Sequence, residues 1–312
     1  MTPDFLPTAP LEMLRRRAEL LRRVRGFFDA RSFLEVETPI LSRDVVVDQH
    51  LDPLSTTVFA DPRQPERGDK FWLQTSPEFG MKRLLAAGLT AIYQITRVFR
   101  GGEAGARHNP EFTMVEWYRV GDDYAAGMRL LAEFAAAILG ADAVEQISFR
   151  EAFRRHAGVD PLLVDAGGAP VRQPWELDLL LTRDVEPKLG IERPTILYDY
   201  PANQAALARV RQTPGQPDVA ERFELYARGV ELANGYHELL DPAVLRQRNQ
   251  TNNALRIADG KPALPEESRL LAAMEQGLPP CSGCALGLDR LLMVLTGAQT
   301  IQEVLAFPLD RA

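Results

Sequence analysis

The sequence contains few of the residues that bind soft metals or form disulfides. It has 2 cysteines and 4 histidines among 312 residues. Cys281 and Cys284 form one CxxC, and the sequence has no second cysteine pair that could complete a four-ligand zinc site. We therefore expect no such zinc site and predict that both cysteines are structural.

A long hydrophobic run is also missing. No stretch of about 18 apolar residues occurs, and the N-terminal segment has no apolar region following a basic start. We therefore expect a soluble, cytoplasmic protein that does not bind a membrane.

An excess of positive charge is absent as well. The sequence has 36 Lys+Arg against 43 Asp+Glu, which gives a formal net charge of −7. Affinity for nucleic acid grows with each cation that replaces a condensed counterion, so this balance argues against broad binding to a phosphate backbone. The expected partner is a small molecule or a protein.

The first clear pattern is an amphipathic helix from about residue 9 to residue 30. Its apolar residues recur at three- and four-residue spacing, and its other face is rich in arginine. We interpret the arginine face as solvated, and an acidic or nucleic-acid partner is the alternative. The apolar stripe is predicted to contain Leu11, Leu14, Ala18, Leu21 and Val24 or Arg25, and Phe27 and Phe28 close it.

The most informative stretch is QITRVFRGGEAGARHNPEFTMVEWY, residues 94–118. Two runs with strand alternation flank a polar, glycine-rich loop, and Phe112, Met114, Glu116 and Tyr118 share one strand face. An unpaired buried carboxylate is expensive, so Glu116 needs a cationic or hydrogen-bonding partner.

The loop between these two runs carries an arginine near each end. Arg100 and Arg107 indicate an anion between them, because guanidinium groups bind anionic oxygens well. The alternative is an exposed hairpin loop with a solvated run of charges.

A second cluster is RFELYARGVELANGYHEL, residues 222–239. Glu224, Glu231 and Glu238 are seven residues apart, which fits one solvated stripe of a helix. Gly229 and Gly235 would interrupt a helix, and two strands joined by a turn fit the pattern equally well.

The tetrapeptide Thr75 to Glu78 also has two interpretations. Thr75 as an N-cap with Glu78 three residues later is typical of a capping box at a helix start. The alternative is a Glu78 carboxylate that is free to bind a ligand, which a carboxylate folded back on its own backbone would be less able to do.

These stretches resemble the class II aminoacyl-tRNA synthetases, specifically the lysyl branch. Residues 94–118 resemble motif 2, FLEVETPIL (33–41) resembles motif 1, and SGCALGLDRLLMVL (282–295) resembles motif 3. The resemblance implies an α+β fold, a class II synthetase catalytic core in which helices flank an antiparallel β-sheet. We expect one catalytic domain over residues 1–312 with an insertion at about 142–190, and a homodimer formed through motif 1.

The resemblance also implies ATP and Mg²⁺ as cofactors. Arg100 would bind the α-phosphate and the substrate carboxylate, and Phe112 would stack on the adenine. The implied ATP contacts are Arg100, Glu103, Arg107, His108, Asn109, Phe112, Glu224, Glu231 and Arg290, with Arg100 and Arg290 as catalytic residues. The metal ligands are Glu224 and Glu231, and the residues implied at the amino acid are Ser76, Glu78, Glu116, Tyr118, Asn234, Glu238 and Ala285.

Two features separate the chain from a lysyl-tRNA synthetase. We expect no anticodon-reading domain and no anticodon contact with tRNA, because about ten residues precede the first helix. Ala285 stands where the synthetases have glycine. The chain is most similar to free-standing paralogues that attach β-lysine to a lysine of elongation factor P, so lysine or β-lysine is the expected substrate and that factor the expected acceptor. A minimal synthetase acting on tRNA and a catalytically inactive regulatory paralogue are the alternatives.

One departure from motif 2 leaves a role open. An acidic residue usually stands two positions after the motif 2 arginine, and here that position is Gly102, with Glu103 next. The resemblance does not decide whether Glu103 contacts the adenine amino group.

Overall fold

A computed structural model describes residues 5–165 and 171–312. The two strand-like runs of residues 94–118 form a long antiparallel pair, as predicted, and this pair lies within the main sheet. The helices are α1 (Leu11–Asp29), α2 (Glu78–Ala86), α3 (Tyr124–Leu139), α4 (Phe149–His156), α5 (Pro174–Leu180), α6 (Pro242–Ala258), α7 (Arg269–Gly277) and α8 (Leu288–Thr296).

The strands form two sheets. In the described part of the chain, the main sheet has nine strands in the order β1-β5-β6-β12-β11-β10-β8-β7, with β9 paired to β10, and β2, β4 and β3 form a small second sheet. The strands are β1 (Leu34–Glu35), β2 (Leu41–Ser42), β3 (Ser55–Phe59), β4 (Gly68–Leu73), β5 (Ala91–Phe99), β6 (Glu111–Val120), β7 (Glu145–Ser148), β8 (Thr195–Pro201), β9 (Val210–Arg211), β10 (Val219–Ala227), β11 (Val230–His237) and β12 (Cys281–Gly287).

The predicted fold class is confirmed, with one refinement at the sheet edges. The pairs from β5 to β8 through β6, β12, β11 and β10 are all antiparallel. The two outermost pairs, β1 with β5 and β7 with β8, are parallel, so the sheet as a whole is mixed.

The helix α1 confirms the predicted N-terminal helix and the end of its apolar stripe, where Val24, Phe27 and Phe28 are buried, but not the start of the stripe. Leu20, Val24 and Phe27 are buried, whereas Leu11 is 65% exposed. The start of the stripe was misplaced because the inward face includes a charged residue. Arg17 lies on that face, one turn before Leu20, and pairs with Asp289.

The two faces of the main sheet have different neighbours. Successive residues of a strand point to opposite faces. Val115 and Trp117 are buried in a hydrophobic cluster with residues from α1, α3 and α8. Tyr118 instead packs in a cluster that contains residues of α2, α6 and α7. Glu116 shares the face of Tyr118, so it lies on the side of the sheet opposite to α1, α3 and α8.

The second cluster of glutamates lies on a hairpin, and not on a helix. Arg228 and Gly229 join β10 to β11 with φ angles of 53° and 68°. Positive φ at both central residues is typical of the tight turn that matches the twist of a two-residue hairpin loop. The seven-residue spacing of the glutamates is therefore incidental.

The motif 1 segment does not form one continuous strand up to Pro39. It forms two short strands, one before and one after this proline. In this stretch β1 and β2 have two residues each, and they belong to different sheets. The proline has no N–H for a ladder, which is consistent with the break between them.

The segment at about 142–190 is partly built into the main sheet. It contributes β7 and a hydrophobic cluster that includes Phe149 and Phe153 of α4 and Leu177 of α5. Residues 166–170 lie outside the described residues, and the interpretation of this segment as an insertion stays a prediction.

Two smaller expectations concern the cysteines and the membrane. Cys281 and Cys284 are both buried and unlinked, so their prediction as structural residues fits their position in β12. No helix among residues 5–165 and 171–312 is long and apolar enough to cross a bilayer.

Candidate active site

One row of paired residues across the main sheet explains how the distant predicted site residues meet. Glu116 pairs with Ala285, Ala285 with Asn234, and Asn234 with Glu224. Directly paired residues of neighbouring strands project on the same face. Four predicted site residues from four strands therefore form one continuous line.

The carboxylate of Glu116 is buried and hydrogen-bonded by neutral donors. The Ser76 hydroxyl donates to Oε2 at 2.7 Å, and the Tyr118 hydroxyl donates to Oε1 at 2.5 Å. The predicted need for a partner is thus met without a cation. Burial, reinforced by the negative charge of Glu78, raises the pKa of Glu116 to about 7.

Glu78 and Glu238 meet at a lysine that the sequence analysis did not single out. The Nζ atom of Lys82 lies 2.5 Å from a carboxylate oxygen of each glutamate, and all three side chains are at least 90% buried. Burial, opposed by Lys82 and reinforced by Glu78, raises the pKa of Glu238 to about 8. The spacing of Glu78 and Lys82, four residues apart on one helix, was a signal that could have found this pair.

The capping-box interpretation of the residues before α2 is wrong. The helix begins at Glu78, its N-cap residue is Pro77, and no side chain caps it. The carboxylate of Glu78 turns to Lys82 instead, and the Ser76 hydroxyl accepts a hydrogen bond from the Glu78 backbone N–H at 3.0 Å. Ser76 therefore links the start of α2 to Glu116.

The absence of a side chain at residue 283 makes this close cluster of side chains possible. A Cβ atom on Gly283 would lie 2.2 Å from the Tyr118 ring and 2.5 Å from Glu238 Oε1. These distances are far below a normal contact, so only glycine allows Tyr118 and Glu238 to approach here.

Glu224 and Glu231 stand on the two strands of the hairpin. Glu224 is buried and accepts hydrogen bonds from Tyr200, Tyr226 and Arg222. Glu231 keeps 38% side-chain exposure. Removal of solvent by the surrounding protein, with the negative charge of Glu224, raises the pKa of Glu231.

The two carboxylates fit a hard divalent cation. The effect of Glu224 on Glu231 indicates that their charges lie close enough to repel each other, and a cation between them would remove that repulsion. Carboxylate oxygens are the ligands that Mg²⁺ prefers, and this ion commonly takes one or two carboxylates together with phosphate oxygens. Glu231 is the more accessible of the two.

Arg290 connects three of the predicted ATP contacts. One guanidinium nitrogen lies 3.3 Å from the Glu231 carboxylate, and another lies 2.6 Å from Nε2 of His108. Burial, assisted by the positive charge of Arg290, lowers the pKa of His108. Arg107 donates to the backbone carbonyl of Gly229 at 3.3 Å, so the loop of motif 2 contacts the hairpin turn.

Arg100 lies on the ring of Phe112. Its guanidinium carbon is 5.1 Å from the ring centroid, within the range of a cation–π contact. Glu103 approaches Arg100 at 3.8 Å. These residues line one cavity of about 120 Å³ together with Arg107, His108, Asn109, Met114, Glu231, Asn234, Ala285 and Arg290.

Asn109 differs from the other predicted ATP contacts. Its side-chain N–H donates to the carbonyl of Glu111 at 2.7 Å, and its side-chain oxygen accepts from the N–H of Leu309 at 3.1 Å. The amide thus ties the loop to the C-terminal segment, and its role at ATP stays a prediction.

A larger cavity of about 240 Å³ lies beside the segment Thr75 to Pro77. Among the predicted site residues it is lined only by Ser76, and Glu78, Glu116 and Glu238 do not line it. The smaller cavity is therefore the better candidate for the chemistry, because arginines and carboxylates line it together.

Sequence reasoning missed the residues that hold the predicted ones in place. Asp289 is buried, contacts Arg17 at 2.5 Å, and accepts a hydrogen bond from the Thr113 N–H at 2.7 Å. It therefore joins α8, which carries Arg290, to the strand that carries Phe112. Tyr200 and Tyr226 hold Glu224 in place, because both hydroxyls donate hydrogen bonds to its carboxylate.

The fold and this site define a class. A family model described as tRNA synthetases class II (D, K and N) matches residues 7–311. The chain belongs to this family, as the three motifs predicted.

The chain is also similar over its length to individual proteins of known name. It is 44% identical to a protein of Vibrio cholerae, with 99% of each chain covered, and 45% identical to one of Edwardsiella ictaluri, covering 99% of this chain and 98% of the other. A protein of Klebsiella pneumoniae is 43% identical, covering 100% and 99%. Each of these three proteins is named elongation factor P-(R)-beta-lysine ligase.

Proposed function

We propose that this protein uses ATP to activate a lysine-type amino acid, (R)-β-lysine, and transfers it to a lysine side chain of elongation factor P. The observation that carries this proposal is the division of one sheet face into two neighbouring sites. The buried carboxylates of Glu78, Glu116 and Glu238 would receive ammonium groups, and an arginine-lined cavity, which would hold phosphates, contains residues of the same sheet face. The names of the three relatives support the same reaction.

The activation step needs charge neutralisation and alignment more than proton transfer. The substrate carboxylate attacks the α-phosphorus of ATP, the bond to pyrophosphate breaks, and an aminoacyl-adenylate forms. Arg100 would hold the α-phosphate and the attacking carboxylate. Arg107 and Arg290 would hold the outer phosphates. No protein side chain has to act as a covalent nucleophile.

Mg²⁺ would be held by Glu224 and Glu231. When bound, it would neutralise phosphate charge and fix the phosphate geometry. Glu231 also contacts Arg290, so one carboxylate would orient both the arginine and the metal-bound phosphates.

In the transfer step, an amine attacks the carbonyl carbon of the adenylate. An amide bond forms, AMP leaves, and the amine loses a proton. An acceptor lysine has an unperturbed pKa of about 10.4, so the docking surface must favour its neutral form.

The amino-acid pocket would recognise two ammonium groups. Glu78 would receive the amino group nearer the carboxylate, and Glu116, Tyr118 and Glu238 would surround the distal ammonium. Asn234 and Ala285 line the cavity between this pocket and the phosphates.

ATP–pyrophosphate exchange tests the activation step. We expect exchange with (R)-β-lysine, weaker exchange with lysine, and little with norleucine, which lacks the distal ammonium. Absence of exchange with every diamino acid would favour the inactive paralogue. Purified elongation factor P and tRNA are then offered as acceptors to the same adenylate, and charging of tRNA in place of the protein would favour the minimal synthetase.

The proposal includes a cytoplasmic homodimer. Leu34, Ile40 and Leu41 of the motif 1 segment, together with Leu11 of α1, are between 39% and 65% exposed. Exposed apolar side chains mark an interface where they form one patch, so these residues are the candidates for the subunit contact. Analytical ultracentrifugation tests this, and a strictly monomeric active enzyme would contradict it.

A further inference from the structure

Lys82 is a buried cation within the proposed amino-acid pocket. Its side chain is 2% exposed, and its Nζ atom contacts Glu78 and Glu238 at 2.5 Å each. Both glutamates are assigned to ammonium groups of the substrate. A lysine of the protein therefore already uses part of the negative charge that the substrate needs.

The proposed amino-acid pocket has more carboxylates than ammonium groups. It contains three buried carboxylates, those of Glu78, Glu116 and Glu238, and one ammonium, that of Lys82. When all four groups are ionised, which is the state above the raised pKa values of Glu116 and Glu238 and the state that a bound dication favours, the pocket has a net charge of −2. Tyr118, Tyr236 and Cys281 also interact with this cluster, and their raised pKa values keep them neutral at pH 7. The cations Arg222 and Arg209 interact with Tyr236 and Cys281 from outside the cluster.

A substrate with two ammonium groups matches this charge. The substrate carboxylate is directed to Arg100 and does not enter the count. The two amino groups bring a charge of +2, so the loaded pocket is neutral. Without Lys82, three carboxylates would face two ammonium groups, and one buried charge would be left without a partner, which is costly.

Lys82 itself does not take part as a base or nucleophile. Burial alone would lower the pKa of Lys82, but the charges of Glu238 and Glu78 outweigh burial and raise it. The ammonium therefore remains charged, and it can serve only through its charge and its geometry.

We propose that Lys82 is the resident counter-ion of the amino-acid pocket, which sets the pocket charge for a substrate with two ammonium groups and aligns Glu78 with Glu238. This inference rests on the proposed function, because it assigns a positioning and specificity role within the same pocket. Lys82 acts through the two glutamates and does not contact the reacting atoms.

The test compares Lys82→Met with Lys82→Arg and with Arg83→Met, in the full-length protein. Arg83 is the next residue on α2 and is exposed, so it controls for a change in this helix. In ATP–pyrophosphate exchange, we expect Lys82→Met to raise KM for the diamino acid at least about 100-fold while KM for ATP changes less than about 3-fold. Lys82→Arg is expected to recover part of the loss, and Arg83→Met to behave as the wild type.

A double variant separates charge from packing. Lys82→Met with Glu78→Gln removes one positive and one negative charge, which restores the net charge of −2. If charge balance is the role of Lys82, the double variant loses less diamino-acid affinity than the product of the two single losses. Fully multiplicative losses would overturn the proposal, and so would equal changes in KM for ATP and for the diamino acid.

A second readout does not depend on activity. Without Lys82, the three carboxylates lose their internal cation, so their ionisation should destabilise the fold more as pH rises. Between pH 5 and pH 9, we expect the melting temperature of Lys82→Met to fall at least about 5 °C more than that of the wild type. Parallel pH curves would overturn the charge assignment. If the wild type shows no exchange with any diamino acid, the proposed function fails, whatever these curves show.

Discussion

Arg17 and Asp289 form a buried ion pair across 272 residues of sequence, with 2.5 Å between their charged groups. Asp289 also accepts the backbone N–H of Thr113, which follows Phe112. The pair therefore fixes the start of α8 against β6, and with it the positions of Arg290 and Phe112, which both line the cavity of about 120 Å³.

The first prediction compares two arginines of the same helix. Arg17→Gln leaves the nearly fully buried carboxylate of Asp289 without its cation, so we expect a loss of about 3 kcal/mol in the free energy of unfolding. Arg25→Gln removes a contact with Glu35 in which both side chains are more than a third exposed, and should cost less than about 1 kcal/mol. Urea denaturation of both variants measures the difference. Equal losses of unfolding free energy in the two variants would show that the buried Arg17 pair stabilises the fold no more than the exposed Arg25 pair.

The second prediction concerns the charges at the phosphates. Arg100→Ala and Glu231→Gln should each lower the rate of adenylate formation by about 10²–10³, because each removes a preorganised group from the developing charge. The measurement is pyrophosphate exchange at saturating amino acid. Glu133→Gln, which affects only an exposed contact with Arg31, serves as the control. Normal exchange in either site variant would remove that residue from the mechanism.

The positions of the candidate site residues on one strand face could be predicted from sequence where the residues belong to one strand. Alternation in residues 112–118 was enough to place Glu116 and Tyr118 on one face, and β6 confirms it. The hairpin of Glu224 and Glu231 stayed undecided, because the choice depends on two positive φ angles that the sequence permits without requiring. The partners Lys82, Asp289 and Tyr200 were not found. Asp289 and Tyr200 act through contacts between elements, and an aspartate on a helix carries no local sign of burial. Lys82 stands four residues after Glu78 on α2, which is a local signal of that pair, but its contact with Glu238 joins two elements.

The third prediction follows from the raised pKa values of Glu116 and Glu238, about 7 and about 8. Only the ionised carboxylates attract ammonium groups, and at pH 6 both side chains are mostly protonated. We therefore expect kcat/KM for the diamino acid to rise between pH 6 and pH 8.5, with KM for ATP nearly constant. Steady-state exchange across this range measures it.

The control for the pH profile is Glu238→Gln. This variant should use the diamino acid poorly at every pH, by about 2–5 kcal/mol in transition-state binding, and its profile should lose the component near pH 8. A flat wild-type profile, or an unchanged profile in the variant, would contradict these ionisation states.

The last prediction concerns the methyl group of Ala285, which lines the cavity and pairs with both Glu116 and Asn234. That methyl group would crowd an amino group on the carbon next to the substrate carboxylate. A β-amino acid has a CH₂ group there and carries its amine one carbon further on, where Glu78 would receive it. One methyl group changes such a preference by about 1–3 kcal/mol, or roughly 10–200-fold. We therefore expect Ala285→Gly to shift the ratio of kcat/KM for (R)-β-lysine and lysine towards lysine by about that factor. Exchange kinetics with both isomers in both proteins measure the ratio, with KM for ATP as the internal control. An unchanged ratio would place the selectivity in the carboxylates around Lys82, since these are the groups that receive the amines.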